Sequence, residues 1–183
     1  TKALEFGGDR NSLITFSPNM TPLAEKFSFS IWIKVVPTEP NAMPFAYERS
    51  ELFMRQSGNY RLFNTDTSIN RQITAGVWHH YCGTWSLESG TFRAYVNGTL
   101  AGQNTTPPGR KLKTGGILVV GDYQDREGRS RTGNHFGGEM FNFNMFSKEL
   151  SSTEVAELSA HGLSTQIPTQ LEAYRVVKWE EIL

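Results

Sequence analysis

Hydrophobic positions recur with a period of two along most of this chain, the mark of strands that bury one face. In FSFSIWIKV, Phe27, Phe29, Ile31, Ile33 and Val35 share a face, and Ser28, Ser30, Trp32 and Lys34 take the other. In WHHYCGTW, residues 78–85, Trp78, His80, Cys82 and Thr84 alternate with His79, Tyr81 and Trp85, so this strand is expected to be covered on both sides. TFRAYVNGTLAGQ reads as a hairpin: Phe92, Ala94 and Val96 alternate with Arg93 and Tyr95, and Asn97-Gly98 then supplies a tight turn of positive φ. ILVV (117–120) and MFNFNMF (140–146) add two strands. Clusters of Gly, Pro, Asn and Ser at 36–44, 57–59, 102–109 and 114–116 punctuate the series. The pattern predicts an all-β sandwich of many short antiparallel strands.

One segment breaks the period. LSSTEVAELSAHG carries Ser151 as N-cap with Glu154 at N3 to close a capping box, Leu150 and Val155 as a hydrophobic staple, and Gly162 as a stop. A single helix is predicted over about residues 152–161. Residues 163–170 read as a surface connection to a last strand in YRVVKW.

Length and charge narrow the function. A chain of 183 residues suits one domain over 1–183 with its own core. Lys+Arg and Asp+Glu both number 18, so no global field favours nucleic acid or an anionic membrane surface, and charge-based recognition has to be local. No apolar run reaches the roughly 20 residues of a membrane span. The one cysteine, Cys82, excludes an internal disulfide framework, a cysteine zinc knuckle and a CxxC redox pair. Three sequons, at Asn19, Asn97 and Asn104, lie beside turn-forming residues and point to a secreted or ectodomain origin.

The blocks GVWHHYCGTWSLESGTFRAYVNGTLAG, GGILVVGDYQD, GGEMFNFNMFSKELSSTEVAEL and VVKWEEIL, in that order, resemble the pentraxin domain as it occurs in neuronal pentraxins and larger extracellular proteins. The resemblance runs from about Lys2 to Leu183, and its separate pieces would also suit a laminin-G domain. It implies a two-sheet jelly roll with a helix on one face, a recognition role without catalysis, and a tendency to oligomerise. It also implies calcium ions on the face opposite the helix, through which family members take phosphate-bearing or carbohydrate ligands.

Carried over residue by residue, the implied calcium ligands are mostly replaced. Arg49 and Ser50 fall where the family has an Asp-Asn pair. In GDYQDREGRSRTGNHFGGE (121–139), Tyr123 stands at the first carboxylate of a Glu-Gln-Asp run, while Gln124 and Asp125 are kept. The later Glu falls at Arg131 or Thr132 and the later Gln at Asn134 or His135. Asp122, Gln124 and Asp125 remain as residual metal candidates, with Glu127 out of register. Calcium needs six to eight oxygen ligands, and a cation within ~5 Å opposes it by about a kcal/mol or more. Calcium binding is therefore expected to be lost or very weak, with no cofactor in its place. The arginines that displace it, Arg49, Arg126, Arg129 and Arg131, can instead fork onto a phosphate, a sulfate or a sialic-acid carboxylate directly, or simply pair with Asp122, Asp125 and Glu127 in a solvated loop.

Other candidates are weaker. His79, His80 and Cys82 lack the third and fourth ligands zinc requires, which favours packing and inter-strand hydrogen bonding. The resemblance makes Cys82 one half of a family disulfide whose partner position holds Ser30, leaving Cys82 a buried free thiol. Neither Glu88, Glu139 nor the loop acids pair on one strand face as a glycosidase would need, and GxSxG and HExxH are absent.

The sequence therefore predicts a non-catalytic, extracellular recognition or adhesion domain. Its expected partner is a protein or glycan rather than nucleic acid, it is not itself membrane-inserted, and it could self-associate. Ending at VVKWEEIL without a closing strand or coiled coil, it is expected to be cut from a longer multidomain protein such as an adhesion receptor or a matrix protein. The rivals are a calcium-dependent lectin-like pentraxin and a jelly-roll enzyme that degrades glycans.

Overall fold

The computed structural model describes residues 2–9, 12–37, 41–49, 51–123 and 134–183. Its strands are β1 (Leu4–Gly7), β2 (Ile14–Phe16), β3 (Lys26–Val35), β4 (Phe45–Tyr47), β5 (Leu52–Met54), β6 (Tyr60–Leu62) and β7 (Thr65–Thr67). They continue as β8 (Trp78–Ser86), β9 (Thr91–Val96), β10 (Thr99–Thr105), β11 (Leu118–Val120), β12 (Gly137–Phe146) and β13 (Arg175–Val177). Two antiparallel sheets result: β1-β12-β3-β8-β9-β10, with β13 also on β12, and β2-β11-β4-β5-β6-β7. This is the two-sheet jelly-roll sandwich the alternation and the resemblance imply.

The inward residues of β3 and β8 meet those of the smaller sheet. Phe29 packs edge-on to Phe45 at 5.0 Å and lies 5.8 Å from Tyr60, while Trp85 sits between Phe27 and Phe63 at 5.5 and 5.1 Å. Gly83 faces this same interior. A Cβ there would stand 2.3 Å from Phe29 Cε1 and 2.7 Å from Phe92 Cζ, so the glycine is what lets the two rings close over the strand.

On the outer side of the larger sheet, β3 pairs Ser30 with Cys82 and Trp32 with His80. Cys82 is fully buried and free, and burial raises its thiol pKa, so it stays protonated and packs as a small apolar group. His80 is equally buried, with Nε2 2.8 Å from Ser30 Oγ and Nδ1 without a partner. The strand is covered on both faces, as its two-sided bulk predicts.

The cover is α1 (Ser152–Ala160), and its capping box forms as predicted: Glu154 N donates to Ser151 Oγ at 3.2 Å and Ser151 N donates to the Glu154 carboxylate at 3.1 Å. Leu150, Val155 and Leu158 pack with Cys82, Tyr95, Phe146 and Leu171.

Two features differ from the sequence reading. MFNFNMF does not alternate throughout: a bulge between Phe141 and Asn144, with Asn142 at φ 54°, turns both Phe141 and Phe143 to apolar contacts, Trp179 and Phe45 respectively. The last strand stops at Val177, and a second short helix, α2 (Trp179–Ile182), follows a 3-10 segment at Thr169–Tyr174. The fully buried Asn144 fixes that end, its Oδ1 accepting from Arg175 and from Trp179 N. Four residues are too few to show a helical period, so α2 was not visible in the pattern.

Candidate functional site

The outer face of the smaller sheet carries the most distinctive chemistry. Register places Ala46 opposite Phe53, Phe53 opposite Arg61 and Arg61 opposite Asp66, so one row of side chains crosses β4 to β7. Met43, Ala46 and Phe53 form a small buried cluster against which Tyr123 packs, its ring 6.3 Å from that of Phe53.

The legs of segment 121–139 are pinned beside this row. Gly121 N donates to Pro44 O at 2.7 Å, Met43 N to Asn134 O at 2.9 Å and Phe136 N to Gly121 O at 2.9 Å. Asp122 is fully buried, accepting from Tyr123 N at 2.6 Å and meeting His135 Nδ1 at 2.9 Å. Its carboxylate thus fastens the two legs of the loop together. Gln124, Asp125, Arg126, Glu127, Arg129, Arg131 and Thr132, together with Ser50, lie outside the described residues.

Between the legs and the sheet opens a pocket of about 340 Å³. Phe53, Tyr123 and Met43 give it an apolar floor, and Asn41, Asn134, Arg55 and Arg61 give it polar walls. Both guanidiniums lie over the Phe53 ring, at 5.2 and 5.4 Å from its centroid. Arg61 forks onto Asp66 at 2.6 and 2.9 Å, and that hydrogen bonding lowers the Asp66 pKa. Arg55 has no such partner: its Nε is buried and unbonded, and it forms no ion pair with a described residue. Among the described residues, two cations and one carboxylate give the pocket a net positive charge.

Of the arginines singled out from the sequence, Arg49 is exposed in the turn between β4 and β5, with φ 62°, while Arg55 follows the other end of β5. The structure does not bring these two together. Arg55 and Arg61 escaped the sequence reading because β5 and β6 are three residues long, too short for a period to show. The available signal was Phe53-x-Arg55, which puts an aromatic and a cation on the same face of a strand.

Among the described residues no group of three or more His, Cys, Asp or Glu side chains could hold a metal. His79 is engaged by Asn97 Nδ2 at 3.2 Å and by Thr74 N at 3.4 Å, on the opposite face from His80. Glu139 pairs with Lys34. The sequon asparagines are exposed: Asn97 accepts from His80 N, Asn104 Nδ2 donates to Asp66 O, and Asn19 uses only its oxygen, toward Thr21 N.

The family model of the concanavalin A-like lectin/glucanases superfamily matches residues 6–156. The chain belongs to this superfamily. It is homologous to neuronal pentraxin-1 of Homo sapiens, at 29% identity over 174 residues, covering 87% of this chain and 38% of that protein. The native heptameric SAP-like pentraxin from Limulus polyphemus has the same fold, with a TM-score of 0.76 over 98% of this chain and 88% of that one at 19% identity. So does domain 4 of an extracellular GH43 arabinanase from Geobacillus stearothermophilus, solved in complex with arabinotriose, with a TM-score of 0.65 over 86% and 76% of the two chains at 17% identity. The chain spans well under half the length of the pentraxin relative.

Proposed function

We propose that this chain is a non-catalytic, extracellular recognition domain that takes an anionic group of a glycan or glycoprotein directly on Arg55, without calcium. The observation that carries the reading is the Arg55 guanidinium, whose buried Nε has no hydrogen-bond partner and which forms no ion pair among the described residues, backed by Phe53 and beside two amides in a pocket of about 340 Å³. A carboxylate, sulfate or phosphate would supply the hydrogen-bond acceptors that Arg55 lacks. Arg61, already held by Asp66, positions the cationic edge of the site, and Tyr123 gives a sugar ring an aromatic surface.

The pentraxin relatives and the arabinotriose-bound neighbour support a binding role for a domain of this shape. The reading keeps the chain as one domain of a longer extracellular protein, with self-association through other surfaces and glycans carried at the exposed sequons.

A glycan array of sialylated, sulfated and neutral oligosaccharides, read in chelator, tests it. Arg55→Gln should weaken binding to the acidic members roughly 10- to 100-fold, the worth of charged hydrogen bonds, and Arg55→Lys should lose less. Unchanged binding by Arg55→Gln, with loss only when Arg126, Arg129 and Arg131 are replaced together, would move the site to the loop and reject Arg55.

A further inference from the structure

A second pocket, of about 330 Å³, lies on the opposite face of the sandwich, at the start of α1. Its floor is β8 and β9, where Thr84 pairs with Arg93 and Cys82 with Tyr95. Ser28 sets its roof: its Oγ donates to Lys148 O at 2.8 Å and accepts from Leu150 N at 2.9 Å, which holds Glu149 and the Ser151 cap above the sheet. Thr84, Arg93, Tyr95, Glu149, Ser151 and Ser152 line the space.

Glu149 is already served. Its carboxylate accepts from Ser86 Oγ at 2.5 Å, Ser89 Oγ at 2.8 Å and Arg93 Nη1 at 3.1 Å, which uses most of its acceptor capacity. Thr84 is not served. It is 1% exposed, and its Oγ1 has no hydrogen-bond partner although it faces the pocket. Tyr95 also lines the pocket, and by helix geometry the first amides of α1, at Ser152 and Thr153, have no carbonyl to meet. What remains unused is therefore mostly donors: two hydroxyls, the free edge of Arg93 and two helix amides, at the positive end of a nine-residue helix.

We infer that this pocket is a second binding site, for a small carboxylate, separate from Arg55 and on the other sheet. The ligand's oxygens meet Thr84 and the amides of Ser152 and Thr153, while Arg93 balances its charge. Glu149 keeps part of that charge for itself, so binding is weak.

The test uses the Arg55→Gln protein, which removes the first anion site. Sodium acetate, sodium sulfate, acetamide and sodium chloride are titrated at constant ionic strength while the amide resonances of Thr84, Ser152 and Thr153 are followed by NMR. Acetate should give saturating shifts at these amides, and acetamide and chloride should not. Thr84→Val, nearly isosteric, should weaken acetate roughly fivefold, the worth of one hydrogen bond, without lowering the melting temperature. Equal responses to acetate and chloride, no saturation by acetate, or saturation by sulfate alone would each overturn the assignment. So would a Thr84→Val protein that melts lower yet binds acetate unchanged, since the hydroxyl would then serve the fold and not a ligand.

Discussion

Trp85→Ala should cost about 3–5 kcal/mol of stability, the usual range for emptying a buried tryptophan site. Trp85 is fully buried, packs on Phe27 and Phe63, and donates its indole N–H to Thr106 Oγ1 at 3.0 Å. The loss is more than one side chain's transfer energy. Phe63 holds a positive φ of 53° in the turn between β6 and β7, and Trp85 is the ring that braces it from the other sheet. Thr106 would also lose the donor it accepts from, keeping only its own bond to Gly90 O. In a domain of this size each kcal/mol moves the melting temperature about 2–4 °C, so a drop of roughly 6–20 °C is expected. Urea unfolding at constant m-value checks it, with Trp85→Phe losing about half as much or less. A Trp85→Ala protein within 1 kcal/mol of wild type, on the same measure of order-of-magnitude packing cost, would mean the two sheets are not locked through this ring.

The second large effect is acid sensitivity centred on His80. Burial in apolar surroundings lowers its pKa from 6.5 to about 4. The folded state holds the ring neutral, so between those values the unfolded chain binds the extra proton and stability falls as the pH drops. The contribution is intact above pH 6.5 and lost as pH falls toward 4, to a total of about 3 kcal/mol at 1.4 kcal/mol per unit. The groups around the ring do not relieve this. Ser30 Oγ meets Nε2, the Trp32 ring lies tilted against the imidazole at 5.1 Å, Cys82 is a neutral thiol, and Nδ1 has nothing to give a proton to. Urea melts at pH 7 and pH 4.5 should differ more in wild type than in His80→Leu, by about 2–3 kcal/mol. Equal pH slopes in the two proteins would place the acid sensitivity elsewhere.

The strands legible in the sequence were the long ones. β3, β8 and β9 run for six or more residues, enough for period two to show, and α1 announced itself through its own capping box. Most of the smaller sheet was invisible, because β4, β5, β6 and β7 are each three residues long, and only β11 showed, through the apolar run ILVV. That is where the candidate site lies. The expectation of an anion held by arginines rested on charge types in the loop, whereas the described arginines that converge, Arg55 and Arg61, are brought together by cross-strand register around Phe53. Asp122 shows the same limit from the other side. As a letter in an acidic loop it reads as a metal ligand; in the fold its carboxylate is spent on His135 and Tyr123 N.

The resemblance places a cysteine at the position of Ser30, and the register does set Ser30 directly opposite Cys82. The Ser30 hydroxyl meets His80 Nε2 at 2.8 Å, a buried hydrogen bond worth about 1 kcal/mol net.

The central claim is that Arg55 takes an anionic group without a metal, and the side-chain Nε–H resonance of Arg55 reports on it directly. Titrating sialyllactose, inorganic sulfate and neutral lactose in chelator, the account predicts a saturable shift of that resonance with at least one of the two anions and none with lactose. No shift with either anion until calcium is added would contradict it, and would mean that the loop between Tyr123 and Asn134 still assembles a metal site that does the binding.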